Sequence, residues 1–366
     1  MKKVLILANS DVGLYNFRKE LIAELFKQGY EVYISLPNGR NIEKLIKMGC
    51  IFLETDVDRR GTNPIKDGQL FLNYIKLIKK VQPTVILTYT VKPNLYGGIA
   101  SKICKVPYIC NVTGLGSGFL NGGVIQKIIK IMSTVSFKHA KRVMVQNSSD
   151  MEQLINNNIT KENITLIPGS GVNLDEFQPL PFPNLEVPLE FLFIARVMKD
   201  KGIDEFLEAA KKIKKKYENV NFNIIGSIEQ EKYISILKEY EDKGIIKYHG
   251  FQRDIKSFIL KSHCTINPSY TEGMSNVLLE SAACGRPLIA SDIPGCKEVI
   301  KDGSNGYIFT KANVEDLVRK IERFINLKYH EKNEMAFNSR KIVKENFDRK
   351  VVISLYMAEI ERDRML

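Results

Sequence analysis

Cys264–Glu280 reads CTINPSYTEGMSNVLLE, and this stretch decides what kind of fold the chain builds. Cys264–Asn267 is the short apolar, β-branched run of a strand. Pro268–Met274 is rich in turn formers, and a helix opens near Ser275 and runs until Gly285 and Pro287 stop it. A strand feeding a helix through a short loop is one step of a βαβ series. A helix opening there aims its first N–H groups and its positive dipole end at the loop, which suits a phosphate. Gly273 lets a ligand approach the backbone, while Glu272 in the loop and Glu280 in the helix can face one ligand. The competing reading gives Ser275 a capping role alone and pairs Glu280 with a nearby lysine.

Working outward, the alternation continues through most of the chain. Before this stretch come strand-like runs at 190–194, 221–225 and 245–248, and after it at 288–291 and 307–309. The first half offers 4–8, 31–36, 51–54, 84–89, 108–112, 143–146 and 164–167, with helical patterns such as Leu14–Gln28 and Gly68–Val81 between. Near-continuous Val, Ile and Leu without polar alternation is how strands covered on both faces read. Gln178–Pro188 holds four prolines and no plausible element. The fold class is therefore α/β, with a first doubly wound domain over 1–178, a proline-rich linker over 179–188 and a second over 189–366. The last helices, about 314–361, finish the second domain, and one of them can cross back to the first. Two such domains put a cleft between the carboxyl ends of two parallel sheets.

Composition narrows the class. The 366 residues are 44% hydrophobic and 26% charged, as in an ordinary globular protein. The apolar run Val4–Ala8 is too short for a secretion signal and reads as a buried strand. No stretch is long enough to span a bilayer. Six scattered cysteines without a C-x-x-C pair fit a reducing compartment, and the four histidines lack zinc-ligand spacing. The formal charge is +12, and between Gly68 and Ser149 no acidic residue occurs. Such a face suits an anionic membrane, a diphosphate or nucleic acid; no nucleic-acid module or aromatic platform accompanies it, so nucleic acid is set aside. Val124–Met132 places apolar residues on one helix face with Lys127 and Lys130 opposite. It can lie on a membrane surface or pack on the core, and core packing is the preferred reading of the stripe.

A second signal is Ala195–Gly202, ARVMKDKG, at the end of the strand 190–194. Arg196 and Lys201 on a loop entering a helix form a planar fork and a point charge for phosphate oxygens. Arg196 and Lys201, then Glu272-x7-Glu280, Cys284-Gly285-Arg286-Pro287, Asp292–Glu298 and Asp302–Gly306 together resemble the retaining GT-B glycosyltransferases of family 4. That resemblance covers nearly the whole chain. It implies two Rossmann-like domains facing a cleft, with the nucleotide-sugar donor in the second and the acceptor in the first. It implies that Arg196 and Lys201 hold the donor diphosphate and neutralise the leaving nucleotide, and that Glu280 takes the ribose hydroxyls. Glu272 meets the transferred sugar, and Gly273, Met274, Ser275, Asn276 and Val277, with Gly13 and Gly226, complete the donor contacts. No metal or other cofactor is implied.

The first domain is similar to a narrower group. Gly13–Arg18, Arg59–Pro64 and Thr113–Gly118 resemble transferases that extend polyprenyl-diphosphate-linked sugars. On the acceptor side this points to Arg59, Arg60, Gly114 and Gly116. Many relatives carry a histidine after the fourth strand; here Val91 stands in its place, and Lys92 and Asn94 are the nearest substitutes. The expected activity is metal-free, retaining transfer of a hexose or N-acetylhexosamine from a UDP-sugar to a lipid-linked saccharide, in surface polysaccharide or glycan assembly. The expected place is the cytoplasm, peripherally on the inner membrane face. The rivals are a UDP-sugar 2-epimerase on the same fold and a non-catalytic sugar-nucleotide-binding module. Asp56-Val57-Asp58 matches a manganese-binding aspartate pair of another glycosyltransferase fold and is read as chance, and His139, His249 and His263 are read as structural.

Overall fold

In the computed structural model the described residues are 2–58, 61, 63–115, 123–184 and 186–362. The chain divides into two units, one comprising Met1–Ser170 with Lys350–Leu366, the other Gly171–Arg349. In the first unit the strands are β1 (Lys2–Leu7), β2 (Tyr30–Leu36), β3 (Ile51–Glu54), β4 (Val85–Tyr89), β5 (Tyr108–Val112), β6 (Arg142–Val145) and β7 (Ile164–Leu166). They form one sheet in the order β3-β2-β1-β4-β5-β6-β7. The second unit carries β8 (Leu189–Ile194), β9 (Val220–Ile225), β10 (Lys247–Tyr248), β11 (Cys264–Asn267), β12 (Leu288–Ser291) and β13 (Gly306–Phe309). Their order is β10-β9-β8-β11-β12-β13. Neighbouring strands run parallel: Val4, for example, lies opposite Val32 on one side and Val85 on the other.

The residue pattern explains the layers. Val4, Leu5, Ile6 and Leu7 are all fully buried. Because successive side chains point to opposite faces, Val4 and Ile6 join one core with Leu14, Leu21, Ile22 and Leu25 of the helix Asp11–Lys27. Leu5 and Leu7 join another with Leu70, Tyr74 and Ile78 of the helix Pro64–Val81. The second unit repeats this: Phe191 and Phe193 face one core and Leu192 the other, with Leu278, Leu279 and Ala282. Burying each such side chain contributes about 1.5–3 kcal/mol. In both sheets the winding reverses beside the first strand, between β1 and β4 and between β8 and β11. The crevice outside the carboxyl ends of the strands at such a reversal is where these folds bind ligands.

The division differs from the sequence expectation over residues 171–188. Residues 171–178, expected in the first domain, and the proline-rich stretch both belong to the second unit. Arg286, fully buried, donates to Leu180 O at 3.1 Å and Pro181 O at 2.8 Å, and also to the carbonyls of Ile259, Leu260, Cys284 and Gly285. A guanidinium satisfied by that many carbonyls is a staple, so the prolines form a strap on this unit. The last helix, Arg349–Glu361, lends Val352, Tyr356 and Ile360 to the first unit's core beside Val4 and Ile6. The chain therefore leaves the first unit after Ser170 and returns after Arg349. At those points Val172 N donates to Phe347 O and Arg349 N to Val172 O.

Candidate functional site

The loops after β8 and β11 leave the sheet at the reversal, and the structure joins them. Lys201 Nζ lies 2.7 Å from Glu272 Oε1, a pair about four-fifths buried on both sides. Ser269 Oγ donates to the same oxygen at 2.8 Å. Glu272 Oε2 has no partner among the described residues. Gly202, with φ +71°, seats its backbone on Pro268, where a Cβ would lie 2.0 Å from the carbonyl oxygen. Tyr270 N donates to Asp200 O at 2.9 Å, and Tyr270 Oη donates to Glu205 Oε1 at 2.6 Å. A third loop closes on these two. Ser275 N donates to Gly295 O at 2.8 Å, and a Cβ on Gly295 would meet Gly273 O at 2.6 Å.

Ser275 does cap the helix Asn276–Ala283. Its Oγ accepts from Leu278 N and from Asn267 Nδ2, so Asn267 of β11 fixes where the helix begins. Met274 is buried below the loop, and Asn276 and Val277 are half-buried in the first turn. Arg196 is exposed, its Nη1 3.5 Å from Glu229 Oε2. An exposed pair of that length is weak, so the fork can turn to another anion. Gly226 packs on the same loop: with φ +153° it leaves no room for a Cβ, which would fall 1.7 Å from Ala195 O. Glu280 is half-buried and has no ion-pair partner among the described residues. Desolvation pushes its carboxyl up to about 7 and Glu176 adds to the rise, while Arg349 opposes it. The lysine partner of the competing reading is not found among the described residues.

The first unit treats its candidates differently. Asn94 is 3% exposed and both ends of its amide are used inside: Oδ1 accepts from Thr88 Oγ1 at 2.6 Å and Nδ2 donates to Asn111 O at 2.8 Å. This removes Asn94 from the acceptor side, because a residue so held is part of the core. Lys92 Nζ is 2.6 Å from Asp67 Oδ1, whose other oxygen accepts from Tyr96 Oη. Val91 is 39% exposed. Gly13 sits in the first turn of Asp11–Lys27 with its N–H on Ser10 Oγ, and Gly114 has φ +119°. Arg59, Arg60 and Gly116 lie outside the described residues. Asp58 Oδ1 accepts from Gly61 N. His263 is held between Glu190 N and Asn184 O, and His249 Nε2 is 2.8 Å from Asn223 Oδ1. Core packing for the 124–132 stripe is corrected in part: in the helix Gly123–Lys138, Val124, Ile125 and Ile128 are exposed, as is Ile131 beside them, whereas Ile129 packs against the core and Met132 is half-buried. Among the described residues no helix is long and apolar enough to cross a membrane.

Two residues of the second-unit site went unread in the sequence. Tyr270 stands inside the quoted stretch, but nothing there distinguishes it from a turn residue. Glu205 reads as an ordinary acidic residue in the first turn of the helix Ile203–Lys216.

Comparison with known proteins adds to this geometry. The model of the glycosyl transferases group 1 matches residues 181–342, and that of the glycosyl transferase 4-like family matches 3–147. The N,N'-diacetylbacillosaminyl-diphospho-undecaprenol alpha-1,3-N-acetylgalactosaminyltransferase of Campylobacter jejuni is 29% identical over 331 residues, 86% of this chain and 87% of that protein. The capsular polysaccharide biosynthesis glycosyltransferase CapM of Staphylococcus aureus is 27% identical over 346 residues, 90% of this chain and 89% of its own. The crystal structure of Anabaena HepE in complex with UDP and glucose superposes with a TM-score of 0.80 at 17% identity, covering 99% of this chain and 100% of that one. This last likeness is one of fold.

Proposed function

Because the chain belongs to the glycosyl transferases group 1, with a first half of the glycosyl transferase 4-like kind, we propose that it moves a hexose or N-acetylhexosamine from a UDP-sugar to a polyprenyl-diphosphate-linked saccharide. Transfer retains the anomeric configuration and needs no metal. The observation that carries this reading is the meeting of Lys201 with Glu272 at the reversal of the second sheet, with Arg196 on the same loop.

Breaking the bond from the sugar's anomeric carbon to the diphosphate leaves negative charge on the departing phosphate oxygen. Arg196 supplies a fork, Lys201 a point charge and the start of the helix Asn276–Ala283 a set of N–H dipoles for that charge. Preorganised cationic groups of this kind do the work a metal does elsewhere. Glu272 has one oxygen engaged by Lys201 and Ser269 and the other open to a sugar hydroxyl. The carboxylate of Glu280 takes the ribose hydroxyls.

The names of the Campylobacter and Staphylococcus relatives support a lipid-linked acceptor and polysaccharide assembly. The HepE complex supports a uridine nucleotide. Exposed Val124, Ile125, Ile128 and Ile131, beside Lys127 in a stretch free of acids, support docking on the anionic inner face of a membrane.

The test is nucleoside diphosphate release by the purified protein from a panel of UDP-, GDP- and ADP-sugars, with and without a lipid-linked oligosaccharide extract. Release from one UDP-sugar that needs the extract, persists in EDTA and gives a product of unchanged anomeric configuration is expected. No release from any donor would leave the binding module as the better account.

A further inference from the structure

Glu205 is 7% exposed, yet it does no obvious work for the helix it begins. Its Oε1 accepts from Tyr270 Oη at 2.6 Å, and its Oε2 is buried with no partner. No lysine or arginine pairs with it among the described residues. A buried carboxylate in that condition costs stability. The first turn of a helix offsets part of that cost through the backbone dipole, but it would do so equally for an exposed side chain. What the burial secures is a bond from the helix that follows one loop to the tyrosine of the other. Glu205 follows Lys201 by four residues, and Tyr270 precedes Glu272 by two.

The other ties between these loops involve the backbone or the reacting pair itself. Tyr270 N reaches Asp200 O, Gly202 lies against Pro268 O, and Lys201 meets Glu272. On the transferase reading, Lys201 would turn toward the diphosphate when a donor arrives and loosen its hold on Glu272. The Tyr270–Glu205 bond is then a further side-chain link, among the described residues, keeping the two loops in register.

We infer that Glu205 is a positioning residue for donor turnover, acting through Tyr270 to hold the Lys201 and Glu272 loops at fixed separation while Lys201 engages the diphosphate. This rests on the transferase reading above. Positioning groups that set the reacting geometry lower kcat when lost, with less change in KM.

The experiment compares Tyr270→Phe, Glu205→Ala, Glu205→Gln and the double Tyr270→Phe/Glu205→Ala for kcat, donor KM and melting temperature. Expected is a fall in kcat of about tenfold or more for Tyr270→Phe and Glu205→Ala, with donor KM within about threefold. The double variant should be no worse than either single, because both remove one bond. Glu205→Gln keeps an oxygen that can accept from Tyr270 and should hold kcat within about threefold of the starting protein. Amide hydrogen exchange over residues 269–273 gives a reading that does not depend on turnover, and it should quicken in Tyr270→Phe. Tyr270→Phe removes one oxygen atom and carries the test if Glu205→Ala does not fold. Variants that melt earlier but keep kcat within about twofold, or unchanged exchange in Tyr270→Phe, would overturn the inference. Absence of turnover in the unmodified protein, with exchange quickened as expected, would count against the transferase reading instead.

Discussion

The loops after β8 and β11 and the loops after β1 and β4 occupy the same place in two sheets of the same order, yet they are built to opposite ends. In the second unit the polar groups at the reversal face one another across loops with little room to move, and they keep capacity to spare. Glu272 has an oxygen open and Arg196 is exposed with a weak partner. In the first unit most polar groups at the reversal are turned inward, although Arg18 Nε, Tyr89 Oη and Thr90 Oγ1 are buried without a hydrogen-bond partner among the described residues. Asn94 is tied to Thr88 and Asn111, Lys92 to Asp67, and the Arg18 guanidinium lies over the rings of Tyr89 at 4.9 Å and Tyr356 at 5.9 Å. The same fold position therefore gathers partly open charged groups in one unit and a packed polar core in the other. Residue type alone does not tell them apart; whether the unspent groups are open to solvent does.

The sharpest way to break this comparison is to remove the lysine from each side. Lys201→Ala should lower kcat/KM for the donor by about 100- to 1,000-fold, as for loss of one preorganised group that meets developing charge. Lys92→Ala should leave it within about threefold, since Lys92 is spent on Asp67. Steady-state kinetics decide it, and equal losses would erase the contrast. Next in size, Asn94→Ala should cost about 2 kcal/mol of stability by leaving buried partners unsatisfied, read by denaturant unfolding, with acceptor KM unchanged. A rise in acceptor KM would return Asn94 to the acceptor side.

The pH dependence sharpens the second-unit half. With the Glu280 carboxyl pushed up to about 7, its ionised form gains population as pH rises from 6 to 8. Donor KM should then fall by about tenfold over that range and stay flat in Glu280→Gln. Folding raises this acid above its ordinary value of 4.5, so ionisation opposes the folded state. The burden is absent below the unfolded value and complete above the folded one. Glu280→Gln should therefore melt higher than the starting protein above about pH 7 and show no such gain near pH 4. Smallest is the membrane contact. Lys127→Ala should weaken sedimentation with anionic vesicles by about fivefold, near the 1 kcal/mol expected for one basic residue at a charged surface, and should not alter soluble donor hydrolysis.

How much of this was legible depends on which physics each feature uses. The strands were readable because burial on both faces leaves a run like Val4–Leu7 without polar alternation, a signature local in sequence. β10 forms over Lys247–Tyr248 and omits Ile245 and Ile246, since an edge strand pairs on one side and its length depends on β9. Lys201 and Glu272 were each readable as donor-site residues through the family's spacing, but their ion pair was not, because 70 residues separate them. Asn94 was misread because a polar side chain satisfied in a core looks, in sequence, like one waiting for a ligand. The stripe at 124–132 has the same pattern whether a neighbour covers it or not, and the structure leaves Val124 73% exposed. Glu205 carried no signal, because its meaning lies in a tyrosine 65 residues away.

The central claim is that the second unit holds a nucleotide diphosphate with its own cations. Calorimetric titration of UDP in EDTA tests it most directly, on the unmodified protein and on Lys201→Ala and Lys92→Ala. The account predicts binding without metal, weakened at least about tenfold in Lys201→Ala and unchanged in Lys92→Ala. Binding that disappears in EDTA, or that is indifferent to Lys201, would contradict it.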